Sequence, residues 1–397
     1  MREVVIVSAC RTPVGRHAGA LRDVASGDLA AHVLKEAVKR AGVSPEVVED
    51  VIMGCALPAG RASNVGRWAL VKAGFPEHVP GQTVNRLCSS GLQAIITGAL
   101  TILNEDADIL IAGGVESMSR APFLLEKMPN PYQRGTQLLL DSFGGPFSSP
   151  PEIYGEMVMG DTAENVAERF NVSREEQDAF ALESQRRAIA AIQAGRFKDE
   201  IVPVVIPRKK GESIIVDTDE HPRPETTLEG LARLQPAFKK GGSVTAGNSS
   251  GMNDGAAALV MTTKEKAREL GLKPLVTFRA YAVAGVDPRV MGIGPVAAVP
   301  KVLKKTGLIA DDLDVIELNE AFASQSVYCI KELGLDPSKV NPNGGAIALG
   351  HPLGCTGARL TTSMIYELRR RQGRYGMVTM CVGGGQGVAA VFEREEY

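Results

Sequence analysis

The chain has 397 residues, 44% of them hydrophobic and 23% charged, with a formal net charge of -2 and a pI near 6.3. That is enough apolar material for a large core in two or three domains. It leaves no overall basic field to hold a nucleic acid or an anionic membrane, so any anionic ligand must be bound locally.

The opening residues lack a basic segment followed by an apolar stretch, and nowhere do about 20 apolar residues run together as a spanning helix needs. A cytoplasmic protein with no membrane insertion is expected. The six cysteines (10, 55, 88, 329, 355 and 381) are far apart and form no C-x-x-C pair. This argues against a disulfide framework and a zinc site, and for a reducing compartment.

In chain order, residues 2–8 read as a strand, 28–41 as a helix and 47–54 as a strand. Short β-branched runs alternating with helical patterns predict an α/β architecture. Strand-like Gln82-Thr83-Val84 precedes Cys88, after which comes the clearest helix. Leu92, Ile95, Ile96, Ala99, Leu100 and Leu103 fall at i, i+3, i+4, i+7, i+8 and i+11, one apolar face. Ile109-Leu110-Ile111 follows as a strand.

Residues 119–251 differ in texture. Prolines at 129, 131, 146, 150 and 151 lead to a polar helix that opens at Ser173, with Glu176 completing a capping box, and runs to about Ala194 before Gly195. An insertion packed on the first half is expected, serving substrate binding or as a solvated decoration. Beyond it, Asp314-Val315-Ile316 repeats Asp50-Val51-Ile52, and Val340-Asn341 with its Gly-rich turn repeats Val84-Asn85. The step from Met377-Val378-Thr379-Met380 into Gly383-Gly384-Gly385 repeats the one from Ile109 into Gly113-Gly114. The chain reads as two related α/β halves.

Cys88 lies between a strand and the start of the strongest helix. There the unpaired N–H groups favour a thiolate and lower the thiol pKa, making it a candidate nucleophile; a small buried hydrophobe is the plainer reading. Of the histidines, 17, 32, 78 and 221 have ordinary polar or helical settings. His351 sits among Gly344, Gly345, Gly350, Pro352 and Gly354, a pattern suited to a loop that aims a side chain into a cleft. Paired with Cys88 it is a candidate activating base. Cys381 ends a strand before Val382-Gly383-Gly384-Gly385, whose amides suit an oxyanion hole or simply a tight turn. Asn319, also after a strand-like run, suits the orientation of a water or carbonyl, or an ordinary cap.

No G-x-x-x-x-G-K-[ST], H-E-x-x-H or G-x-G-x-x-G after the first strand is present. Arg208-Lys209-Lys210 and Lys239-Lys240 read as solvated loops.

Taken together, Asn85-Arg86-Leu87-Cys88-Ser89-Ser90-Gly91-Leu92, Asn319-Glu320-Ala321-Phe322-Ala323, residues 344–357 around His351 and Cys381-Val382-Gly383-Gly384-Gly385 resemble the thiolase family. So do Gly113-Gly114-Val115-Glu116-Ser117-Met118-Ser119 and Thr245-Ala246-Gly247-Asn248-Ser249-Ser250-Gly251. The likeness spans the whole chain in order. It implies an α/β fold of two duplicated halves in a layered αβαβα arrangement, with domains at 1–270 (insertion about 119–251) and 271–397.

The resemblance implies an acyltransferase that cleaves 3-oxoacyl-CoA with coenzyme A to acetyl-CoA and a shortened acyl-CoA, reversibly by Claisen condensation. Coenzyme A is then a substrate, with no cofactor or metal, and the protein is a homodimer or homotetramer. By it Cys88 is acylated, His351 activates Cys88, and Cys381 moves the acetyl α-proton. Asn319, through a water, and His351 serve the enolate oxygen, while the amides of Cys88 and Gly383 serve the acyl-enzyme oxyanion. Arg223 and Ser250 correspond to positions contacting coenzyme A, and Met159 and Phe238 to its pantetheine path.

The wording around Cys88 and His351 is more similar to degradative, β-oxidation thiolases of fatty acid metabolism. Residues 135–160 match no one subgroup, leaving an acetoacetyl-CoA-forming acetyltransferase or a 3-oxoadipyl-CoA thiolase as alternatives. A non-catalytic acyl-CoA carrier of the same fold should lack part of the set Cys88, Asn319, His351 and Cys381. A 3-oxoacyl synthase pairs its cysteine with two histidines, or a histidine and an asparagine, where Cys381 stands here.

Overall fold

The computed structural model describes residues 2–58, 62–125, 135–143, 149–208 and 211–395. Pro129, Pro131, Pro146, Lys209 and Lys210 lie outside them. The main strands are β1 (Val4–Arg11), β2 (Asp50–Gly54), β3 (Gly81–Val84), β4 (Ile109–Ser117), β5 (Asn253–Thr263), β6 (Val276–Gly285), β7 (Leu313–Leu318), β8 (Tyr375–Val382) and β9 (Gln386–Arg394). They lie in the order β7-β8-β9-β6-β1-β5-β4-β2-β3.

The pairing pattern occurs twice. β1 with β5 and β5 with β4 are antiparallel, and β4 with β2 and β2 with β3 parallel. Likewise β6 with β9 and β9 with β8 are antiparallel and β8 with β7 parallel; a single parallel bridge, Ile316 to Val340, stands where β3 would be. The repeat seen in Asp50-Val51-Ile52 and Asp314-Val315-Ile316 is thus a repeat of topology. Among the described residues, the strand pairs Val5 with Thr277 and Ile6 with Val276 join the half-sheets.

Helices α1 (Ser26–Ala41), α2 (Val65–Lys72) and α3 (Ser90–Leu103) serve the first half. The insertion carries α4 (Met159–Arg169) and α5 (Arg174–Gln193), and the second half α6 (Gly294–Thr306), α7 (Ala323–Glu332) and α8 (Leu353–Arg371). Side chains alternate across a strand, so Ile6, Leu110 and Ala112 face α3 and α8 in the central layer, while Val5, Ile109 and Ile111 face α1 and α2. With α6 and α7 on the far side of the second half-sheet, the layers run α, β, α, β, α as the resemblance implied.

Two expectations are corrected. Leu100 and Leu103 are 42% and 41% exposed, and Ile102 is buried instead. At 100° per residue Leu100 lies roughly 80° round from Leu92, and Leu103 is the last helical residue. The insertion, expected on the first half, packs on both. Glu200 and Asp219 bind the buried Arg11 of β1 at 2.6 and 2.7 Å, while α4 and α5 lie against α7. The capping box of α5 is present, Ser173 accepting from the amide of Glu176 and Glu176 from that of Ser173. Its polar residues Gln177, Asp178, Ser184 and Gln185 are nevertheless buried, so this face bonds to protein and is not solvated.

Candidate active site

The N-termini of α3 and α8 meet in the central layer because glycines let their backbones touch. A Cβ on Gly91 would lie 2.8 Å from both the Ala358 nitrogen and the Gly354 carbonyl oxygen. This contact brings Cys88, just before α3, and His351, just before α8, to the same end of the molecule. Both line a cavity of about 470 Å³, with Gly383, Ser250, Met159 and Phe238.

Cys88 occupies a single 3-10 turn, Leu87–Ser89, entered through Leu87 at φ 45°. That left-handed conformation costs roughly 1–2 kcal/mol for a residue with a Cβ. Neighbours hold it: the Asn85 side chain accepts from the Leu87 amide (2.8 Å), and the Ser90 hydroxyl donates to the Leu87 carbonyl (2.6 Å). The expected lowering of the Cys88 pKa is not found. Burial pushes the thiol up, and the amides of Gly383 and of Cys88 itself offset this only in part. A helix terminus is visible in sequence, whereas the apolar walls around the sulfur are not. The protonated thiol therefore needs a base.

His351 is 4% exposed. Its approach residue, Gly350, has φ 97°, and a side chain there would overlap Asn253, whose carboxamide oxygen accepts from the His351 amide at 2.9 Å. The Thr356 hydroxyl donates to the Pro352 carbonyl (2.8 Å), so its oxygen, 2.6 Å from Nδ1, accepts from an Nδ1–H. Nε2 is then the basic nitrogen, and the Asn319 side-chain amide lies 3.4 Å from it. Burial, and secondarily the positive charge of Arg359, lower the His351 pKa to about 3, so the imidazole is neutral near pH 7.

This has a stability consequence. The folded pKa, about 3, is below the usual 6.5, so between those values the unfolded chain binds the proton and the folded chain does not. Stability therefore falls as pH drops through this window, by up to about 1.4 kcal/mol per pH unit for one group. His351→Gln should lose less stability than wild type between pH 6.5 and 5 in urea titrations. Equal losses contradict the buried neutral imidazole.

Cys381, 1% exposed on β8, lies behind the cavity in an apolar cluster with the wall residues Met291, Ala321 and Phe322. Burial, then charge on Cys88 and on Cys329, push its thiol well up, so it rests protonated. Asn319 follows β7 with its amide donating to the Thr379 carbonyl at 3.0 Å. Its carboxamide oxygen is buried and has no hydrogen-bond partner among the described residues. Such an orphaned acceptor suits a bound water.

Of the expected coenzyme A contacts, Ser250, Met159 and Phe238 line the cavity. Arg223 does not; it is exposed, its amide donating to the Gln185 side chain at 2.8 Å. Sequence reasoning missed the wall residues Met118, Phe143 and Met291, and the supports Asn253, Thr356 and Glu320. Glu320 and Thr356 stand inside the quoted motifs, next to chemistry-bearing residues, and that adjacency was the available signal.

A cysteine and a neutral buried imidazole on one cavity, with a second thiol behind its wall and an orphaned carboxamide beside the imidazole, suit acyl transfer. The family model described as the thiolase N-terminal domain matches residues 4–265, and that of the thiolase C-terminal domain residues 272–394. The chain is 50% identical to an acetyl-CoA acetyltransferase of Syntrophomonas wolfei subsp. wolfei over 99% of each chain. It is also 50% identical to a 3-oxoadipyl-CoA/3-oxo-5,6-dehydrosuberyl-CoA thiolase of Escherichia coli, over 99% of this chain and 100% of that one. The crystal structure of the Bacillus anthracis acetyl-CoA acetyltransferase superposes with a TM-score of 0.95 at 46% identity, covering 100% of this chain and 99% of that one. The chain belongs to the thiolase family. It is an acyltransferase that makes and breaks the carbon–carbon bond of 3-oxoacyl-CoA thioesters.

Proposed function

We propose that the chain is a degradative 3-oxoacyl-CoA thiolase that works through an acyl-enzyme on Cys88. The Cys88 thiol passes its proton to Nε2 of His351 and the sulfur attacks the 3-oxo carbon. The bond between C2 and C3 then breaks, its electron pair leaving as the acetyl-CoA enolate, which takes a proton from Cys381. The thiol of a second coenzyme A attacks the Cys88 thioester and supplies the proton that the acetyl group carried away. The amides of Cys88 and Gly383 hold the tetrahedral oxyanion, and Asn319, through a water, holds the enolate oxygen with His351.

The observation that carries this reading is the convergence of Cys88, His351 and Gly383 on one cavity. Removing the base tests it. His351→Ala should lower turnover by roughly 10²–10⁴ and slow alkylation of Cys88 by iodoacetamide at neutral pH. Unchanged alkylation removes His351 from the role of activating base.

The acyl group is a monocarboxylic chain on this reading, favoured by the apolar described wall of Leu57, Leu87, Met118, Phe143 and Met291. The 50% identity to the Escherichia coli enzyme favours a dicarboxylic acyl group instead. Rates with 3-oxoacyl-CoA esters from four to sixteen carbons, set beside 3-oxoadipyl-CoA, separate the two.

The same reading takes Arg223, Ser250, Met159 and Phe238 as coenzyme A contacts and divides the chain into domains at 1–270 and 271–397. It places the enzyme in the cytoplasm, in β-oxidation, as a homodimer or homotetramer with no cofactor or metal. The six free thiols support a reducing compartment, and the exposed Trp68, Val71, Leu138 and Leu139 support assembly. Among the described residues no helix is long and apolar enough to cross a membrane.

A further inference from the structure

Glu320 follows Asn319 directly but does not reach the cavity. It is 1% exposed, and its carboxylate gathers groups from two parts of the chain. Oε2 accepts from the hydroxyl of Ser184 on α5 (2.6 Å) and from the Ile347 amide (3.1 Å), and Oε1 accepts from the side-chain amide of Asn341 (2.8 Å). The Ser184 oxygen in turn accepts from the Gly345 amide at 3.1 Å. Gly345 is required here, because a Cβ would overlap the Glu320 carboxylate.

We propose that Glu320 is a positioning residue: it pins the segment Asn341 to Ile347, and through it His351, to helix α5 of the insertion. The role of His351 in this statement rests on the reading above.

The bonding pattern makes the carboxylate hard to replace. Asn341 cannot turn its amide round, since its oxygen accepts from the Leu318 amide (2.9 Å) and its nitrogen donates to the Leu318 carbonyl (2.8 Å). The Ile347 N–H is fixed by the backbone. A glutamine at 320 keeps the volume, yet whichever way its amide points, its NH₂ group faces one of these two donors. A buried donor left without an acceptor is costly, and the segment moves to relieve it. His351 lies four residues past Ile347, and displacement of a catalytic group by about 1 Å costs on the order of 10² in rate.

The test compares Glu320→Gln and Ser184→Ala with wild type. It reads kcat, the KM for coenzyme A, the rate of Cys88 alkylation by iodoacetamide at neutral pH, and hydrogen exchange over residues 344–351. Glu320→Gln should lower kcat by about 10²-fold, slow alkylation and speed exchange, with KM changed by no more than about threefold. Ser184→Ala removes two bonds, its own to Glu320 and the one it accepts from the Gly345 amide, without setting two donors against each other, and should lower kcat by roughly five- to tenfold. It decides the matter alone if Glu320→Gln does not fold. Folded variants with wild-type kcat and alkylation overturn the proposal, even if exchange is faster, since that makes Glu320 merely structural. A KM rise at constant kcat overturns it too. Failure of the thiolase reading would appear separately, as a wild-type protein that forms no acyl-enzyme.

Discussion

Replacing Cys88 with alanine should abolish both turnover and the covalent intermediate while leaving the fold in place. The sulfur is the only atom at this position that can carry the acyl group, and thiolysis without it requires direct attack of coenzyme A on the 3-oxo carbon. Loss of a nucleophile that acts as a unit with its base lowers turnover by on the order of 10⁴ or more. The turn itself does not depend on the sulfur, because it is held by the Asn85 side chain and the Ser90 hydroxyl. Alanine is smaller than cysteine and the site is only half-buried, so stability should change by about 1 kcal/mol or less. Intact mass after incubation with acetyl-CoA, beside thermal unfolding, reads both parts. An acetyl adduct on folded Cys88→Ala protein contradicts the assignment.

Cys381→Ala separates the two thiols. On the proposed mechanism Cys88 bonds to the acyl group, whereas Cys381 only moves a proton at the acetyl α-carbon. The variant should accept an acetyl group from acetyl-CoA on Cys88 at close to the wild-type rate. Carbon–carbon bond formation and exchange of acetyl α-hydrogens with D₂O should both fall by roughly 10²–10⁴, because no base remains at that carbon. The high thiol pKa fits this division. Buried behind Met291 and Phe322, Cys381 rests protonated, the form that quenches an enolate in cleavage, and its thiolate once formed is a strong base. If Cys381→Ala exchanges deuterium at the wild-type rate, Cys381 is structural and His351 becomes the base to examine.

The parts of this site legible in sequence were those whose chemistry shows in a short window. Cys88 stands before an apolar helix, His351 among glycines, and Cys381 before three glycines, and each lies where a strand or helix end delivers it. The supports were not legible, because their partners are remote in the chain. Ser184 and Glu320 are 136 residues apart, and Asn253 and His351 are 98 apart. The burial of α5 was hidden for a related reason: a polar helix reads as solvated unless the groups that accept its hydrogen bonds are known. Burial also reversed the expected direction for the Cys88 thiol, a consequence of cavity walls contributed by both halves and the insertion. The duplicated topology was readable because both halves spend the same short hydrophobic runs on the same strands.

A covalent relay through Cys88 can be caught by peptide mapping of the wild-type protein. The enzyme is incubated with a 3-oxoacyl-CoA in the absence of free coenzyme A, quenched in acid and digested, and the acyl group is located by mass. The shortened acyl group should be found on the peptide containing Cys88 in stoichiometric yield and should be discharged when coenzyme A is added. An acyl group on any other residue, or acetyl-CoA release with no acylated peptide, contradicts it.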